Sequence, residues 1–253
     1  MTIEAYIPKF GYINTTLGSA NKSIDTETAK VLELYGNAGT LLNDPECEFK
    51  EENYTVFEFD QEAIDQGRES FPNADFRVWN HHNQMNNPEG NIDEPMPWKS
   101  DDEKFDVIFS YMKTGNLDPE ILANIVRECY DHLNTGGVII FGTFLREVAL
   151  NYFIVRRTHE YGVLPPGLVD DTETANVFCL IDNDNIQMDV ERVPTSGDDA
   201  VVEATHYSWF WNANYLHDYI TMAMPDDARV VSRRLPPMWC IHNPILVEKP
   251  ARV

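Results

Sequence analysis

From Ala29 onward, short apolar runs alternate with longer segments whose apolar residues recur at helical spacing. The first run is Lys30–Tyr35 (KVLELY), which ends close to Gly36 and Gly39, and the second is Thr55–Asp60 (TVFEFD). Both have strand length. Gln61–Ser70 then reads as a helix, Asp75–Trp79 (DFRVW) as a third strand and Phe105–Ser110 (FDVIFS) as a fourth. The intervening stretch 81–104 is polar and rich in Asn, Pro and Gly, which predicts loop. The clearest helix runs over Asp118–Leu133. Asp118 stands at an N-cap position with Pro119 first in the helix, and Ile121, Ile125, Val126, Cys129 and Leu133 fall on one face. Asn134-Thr135-Gly136-Gly137 ends it, and Val138–Phe144 is a fifth strand.

After a helix expected over Arg146–His159, Pro165-Pro166-Gly167 breaks the pattern. Residues 169–205 then differ in character, with ten acids against the single base Arg192. Phe178–Ile181, Ile186–Val190 and Ala200–Ala204 have the alternation of a small antiparallel meander. The main pattern resumes with a helix over Asn212–Met224 and strands at Arg229–Arg234 and Asn243–Glu248. Strands alternating with helices predict an α/β layer structure. The expected organisation is one domain over residues 1–253, with an N-terminal arm of short helical pieces over 1–29 and a lid insertion over 165–208.

Charge narrows the partners. The formal net charge is −23, which disfavours nucleic acid and anionic membrane surfaces. It reads as a solvated acidic shell, such as a salty habitat selects, with a basic protein partner as the lesser reading. No apolar run has membrane-spanning length, and the opening MTIEAYIPKFG lacks a basic stretch followed by an apolar one, so a soluble, cytoplasmic protein is expected. Cys47, Cys129, Cys179 and Cys240 are widely spaced without a CxxC pair, which fits a reducing compartment. No metal is expected. His81 and His82 are adjacent, so an extended backbone points them apart. Asp182-Asn183-Asp184-Asn185 lacks the glycine of a calcium loop, and no G-x-S-x-G elbow is present.

The segments KVLELYGNAG, TVFEFDQEAIDQG, DFRVWN, KFDVIFS and DPEILANIVRECYDHLNTGGVIIFGTF, taken in this order, resemble the class I S-adenosylmethionine (SAM)-dependent methyltransferases over roughly residues 28–249. The resemblance implies a seven-stranded, mostly parallel Rossmann-like sheet with helices on both faces and a reversed last strand, here carrying a small antiparallel lid insertion. It also implies SAM as cofactor, bound at the carboxyl ends of the first strands. Glu33 to Gly39 (ELYGNAG) stands where the family has E/D-x-G-x-G-x-G. Tyr35 and Asn37 replace the first two glycines, Gly39 is in register and Gly36 is displaced by one. Glu33, Tyr35, Gly36 and Gly39 are thus the expected cofactor loop. Asp60 would accept the ribose hydroxyls, with Gln61 beside it and Glu58 a deeper substitute. Asn80 would face the adenine amine, and Ser110 would line the transfer site.

Tyr111 would stand beside the methyl acceptor. His206 or His159 would serve as general base, in a pocket under the lid that includes Tyr152, Arg156, Arg157, Tyr161 and the aromatic stretch His206–Tyr215. Each has a plainer alternative: Asp60 as a helix cap, Asn80 as a loop residue, Tyr111 as core, and the aromatic stretch as a seam between lid and sheet. The expected function is methyl transfer to a small molecule by a chain able to form a homo-oligomer. The alternative is a methyltransferase-like protein that has lost transfer, because a bulky Tyr35 sits where a glycine would let SAM approach.

Overall fold

The computed structural model describes residues 9–81, 90–91, 93–110, 117, 119–143, 175–182, 185–192, 203–210, 213–232 and 243–250. Ten strands and four helices fall within them. In chain order they are α1 (Lys9–Ser19), β1 (Val31–Leu34), β2 (Tyr54–Glu58), α2 (Gln61–Ser70), β3 (Asp75–Val78), β4 (Phe105–Ser110) and α3 (Pro119–Asp131). There follow β5 (Leu133–Thr143), β6 (Ala175–Asp182), β7 (Asn185–Arg192), β8 (Glu203–Phe210), α4 (Ala213–Ala223), β9 (Arg229–Ser232) and β10 (Asn243–Glu248).

Seven strands form one sheet in the order β3-β2-β1-β4-β5-β10-β9. β1 pairs in parallel with both β2 and β4, and β2–β3 and β4–β5 are also parallel, whereas β10 runs against both β5 and β9. The sheet is therefore the one the resemblance implies, reversed strand included. Its winding direction changes between β1 and β4, and at such a switch point the connections diverge and leave a crevice above the carboxyl ends.

Alternation along the strands divides the core in two. Leu32, Leu34, Phe57, Ile108 and Ile139 pack with Leu122, Val126 and Cys129 of α3 and Ile220 of α4. Val31, Val56, Val107, Phe109 and Ile140 pack on the opposite face with Ile64 of α2 and with Phe10, Ile13 and Leu17 of α1. The segment expected as an N-terminal arm thus supplies a helix that buries one wall of the core. Between β1 and β2 the chain descends through turns over 37–46 and not through a helix, as Pro45 dictates. Asp44 anchors this descent by accepting the Phe10 N–H at 2.9 Å.

β5 begins earlier than expected, at Leu133, and absorbs the Asn134–Gly137 turn as an irregularity. Phe105 and Val107, two apart on β4, pair with Leu133 and Val138, five apart on β5. The meander is a separate three-stranded antiparallel sheet, β6-β7-β8, whose last strand, Glu203–Phe210, runs on well past the expected end at Ala204, while residues 200–202 lie outside the described residues. The helix expected over Arg146–His159 lies outside the described residues. No helix among the described residues is long and apolar enough to cross a membrane.

Candidate donor-binding site

The site forms where β1 ends. Tyr35 donates its N–H to Phe57 O at 2.8 Å, completing the ladder, and the chain then turns sharply. Three residues of the turn have left-handed backbone: Tyr35 (φ 54°), Asn37 (φ 54°) and Gly39 (φ 79°). They occupy the three glycine positions of the E-x-G-x-G-x-G spacing. A side chain at such φ strains the backbone by roughly 1–3 kcal/mol, less for Asn, whose short amide tolerates the conformation. Gly36 is required for a different reason. A Cβ there would stand 2.8 Å from Val56 Cγ1 and 2.9 Å from the Glu33 side chain.

Two buried carboxylates hold the turn from beneath. Glu33 accepts the Tyr54 hydroxyl at 2.9 Å and the Leu41 N–H at 3.3 Å. Glu58, at the end of β2, accepts the Asn37 N–H at 2.7 Å with one oxygen and the Phe59 and Asp60 N–H groups at 2.8 and 3.2 Å with the other. Charge-assisted bonds of this kind are about twice as strong as neutral ones, so Glu58 staples the loop to β2. Sequence reasoning placed Glu58 only as a deeper substitute for Asp60 at the ribose. The missed signal is its position two residues before a helix cap, where the strand tip and the turn meet.

Asp60 lies at the surface and caps α2, with Oδ1 accepting the Glu62 and Ala63 N–H groups at 2.9 and 3.5 Å. Gln61 is exposed beside it and donates to Asp65 at 2.8 Å. Asn80 is exposed, its carbonyl accepting the Asn91 N–H at 3.0 Å. Ser110, at the tip of β4, is fully buried, and its Oγ has no hydrogen-bond partner among the described residues. Tyr111 and His159 lie outside the described residues, as does most of the expected pocket beneath the lid. His206 is placed by register only, opposite Val190 in the small sheet. Among the described residues no three of His, Cys, Asp and Glu converge as a metal would need.

The corner between β1 and β3 is filled by aromatic side chains. The Tyr35 ring lies 5.0 Å from the Trp79 ring, and Trp79 lies 4.7 Å from His81. Tyr35 Oη is 3.0 Å from His81 Nδ1. All three residues are at most 3% exposed. Burial, and then Cys129 and Glu58 nearby, push the Tyr35 phenol well above its usual pKa, so the hydroxyl keeps its proton. His81, expected as an ordinary loop histidine, is thus part of a buried stack.

No family model and no curated protein matches the sequence. Solved structures do match. A SAM-dependent methyltransferase from Clostridium acetobutylicum is 16% identical with a TM-score of 0.51, over 96% of this chain and 98% of that one. The CcbJ methyltransferase from Streptomyces caelestis is 12% identical with a TM-score of 0.54, over 98% of each chain. The chain has the class I SAM-dependent methyltransferase fold. A SAM-bound aminopentose methyltransferase of calicheamicin biosynthesis from Micromonospora echinaspora shares this methyltransferase fold at 10% identity and a TM-score of 0.53, over 98% of this chain and 93% of that one. At such identities the likeness establishes architecture, and chemistry has to be argued from the residues.

Proposed function

We propose that the chain is a SAM-dependent methyltransferase acting on a small-molecule acceptor. One observation carries the reading: positions 35, 37 and 39 keep left-handed backbone although two of them are not glycine. Strain of this kind persists where the surrounding structure imposes a particular path, and the path here is that of a cofactor loop. SAM bound there would supply an electrophilic methyl carbon on its sulfonium. The fit divides along the molecule. The turn backbone and the Ser110 hydroxyl, which has no partner among the described residues, suit the amino-acid end, whereas the adenosine corner does not fit while Tyr35 stands in it.

In this reading Glu33 and Glu58 shape the loop, Asp60 and Gln61 meet the ribose from the tip of β2, and Asn80 meets the adenine. The chain's part in catalysis is to orient the reactants and exclude water, with Tyr111, His206 and His159 the residues that would contact or deprotonate the acceptor. A small acceptor is supported by the similar structures, which include aminopentose and glycopeptide N-methyltransferases, and by the net charge of −23, which repels nucleic acid. Calorimetric titration with SAM, paired with thermal unfolding, is the test. Binding heat and a raised melting temperature are expected, and their absence at millimolar SAM, both from the wild type and from a folded variant with the Tyr35 ring removed, takes away the assignment.

The filled corner favours a second reading, a methyltransferase-like protein that has lost transfer and serves as a binding module or in another reaction. SAM binding without methyl transfer to any acceptor in a broad screen would point to another cofactor-dependent reaction, and no binding at all to a scaffold.

A further inference from the structure

Tyr35 is held by two partners that arrive from the far side of β2. It leaves β1, while Trp79 and His81 follow β3, and β2 lies between them. The phenol therefore spans the tip of β2, near enough to Glu58 to sense its charge, and that carboxylate is already committed to the N–H groups of Asn37, Phe59 and Asp60. In the donor-cleft reading, a nucleoside reaching from Asp60 at the tip of β2 to Asn80 after β3 crosses the path along which Tyr35 reaches His81. The ring is not fixed there by its own backbone, because a left-handed tyrosine is strained. It is fixed by packing in the core with Leu34 and Phe57, by the tilted contact with the Trp79 ring and by the hydrogen bond to His81.

We propose that the Tyr35–Trp79–His81 cluster is a closed gate on the donor cleft, and that the adenosine end of a sulfonium nucleoside enters only when Tyr35 leaves His81 and swings off Trp79. The proposal rests on the donor-cleft reading above. Its consequence is quantitative. Only the open fraction of molecules binds, so the apparent affinity is the intrinsic one reduced by that fraction, and loosening the gate tightens binding. This is the reverse of what removing an ordinary pocket-lining side chain does.

The experiment is calorimetric titration of SAM into the full chain, wild type, Tyr35→Gly and Tyr35→Phe, with circular dichroism confirming that each is folded. Tyr35→Gly removes the ring and restores the residue that left-handed backbone prefers. Tyr35→Phe keeps the ring in the core and deletes only the bond to His81, so it decides the matter should the glycine variant fail to fold. About tenfold tighter binding is expected for Tyr35→Gly and about threefold for Tyr35→Phe, corresponding to an open fraction of roughly a tenth or less in the wild type. Folded variants that bind SAM no more tightly than a wild type that does bind would overturn the gate and leave the donor-cleft reading standing. No heat from the wild type or from any folded variant would remove both.

Discussion

At the scale of single residues the donor loop is specified by contacts that tolerate little change. Gly36 has its Cα against Val56 and Glu33, and an added methyl group would meet both at under 3 Å. Since Val56 is fully buried in β2, Gly36→Ala is expected to cost about 1–3 kcal/mol in urea unfolding, and a loss under half of that would mean the loop yields easily. Glu58 gives a sharper case. Its two oxygens accept three backbone N–H groups, so Glu58→Gln would turn an amide donor toward a donor. A destabilisation of roughly 1–3 kcal/mol is expected, along with faster hydrogen exchange at Asn37. Unchanged exchange at Asn37 would show that the staple is not what holds the turn. Part of this was legible in the chain, because E-x-G-x-G-x-G spacing located all three left-handed residues even though Tyr35 and Asn37 stand at two of them. The destination of the Tyr35 ring was not legible. It depends on Trp79 and His81, which are distant in sequence and are brought alongside by parallel pairing of β1 and β3 with β2.

Elements with local signals were read closely. α2 and β10 have the expected bounds, because a cap and a sharp apolar run define them without help from elsewhere. Asp60 is that cap, so Asp60→Ala should cost about 1 kcal/mol whatever the function. If Asp60 also binds ribose, SAM affinity should fall with it, and calorimetry on the variant separates the two roles. Elements that depend on distant partners were read less well: the start of β5 is set by its register against β4, and the last strand of the meander by β7. The edge strand β3 shows what composition alone conceals. Arg77 joins Asp75 and Glu103 at 2.6 Å each and lies over the Phe57 ring, and Lys99 adds a contact to Asp75 at 2.8 Å. Burial pushes both carboxyls up, but pairing with Arg77 and Lys99 outweighs it and holds them below their ordinary range. A depressed carboxyl stabilises the fold above its unfolded pKa, and that contribution is lost as pH falls through the folded value. Stability should therefore drop on acidification below about pH 4.5, and Arg77→Met should flatten that acid limb. An equally steep limb in the variant would place the responsible carboxyls elsewhere.

For the molecule as a whole, two properties pull in different directions. The sheet and its two core faces make a fold of ordinary construction, built around apolar side chains with little or no exposure. The surface is not ordinary, because 42 acids face 19 bases and the net charge is −23. Pairs such as the cluster at Arg77 cannot balance that excess, so the compact state carries self-repulsion that the unfolded chain relieves by expanding. Salt acts on this term directly. Screening shortens from about 10 Å at 0.1 M to about 3 Å at 1 M, which reaches below typical spacings between surface charges. The melting temperature should therefore rise steadily with KCl over that range, whereas Arg77→Met, which loses an attractive cluster, should start lower and gain proportionally more. The comparison has to be made with KCl and repeated with a non-ionic solute of equal osmolarity, because exclusion from the surface also stabilises folded proteins without any screening. A melting temperature that is flat in KCl, or that rises equally with the neutral solute, would mean that the acidic surface is not under repulsive strain. The charge would then report only on solubility.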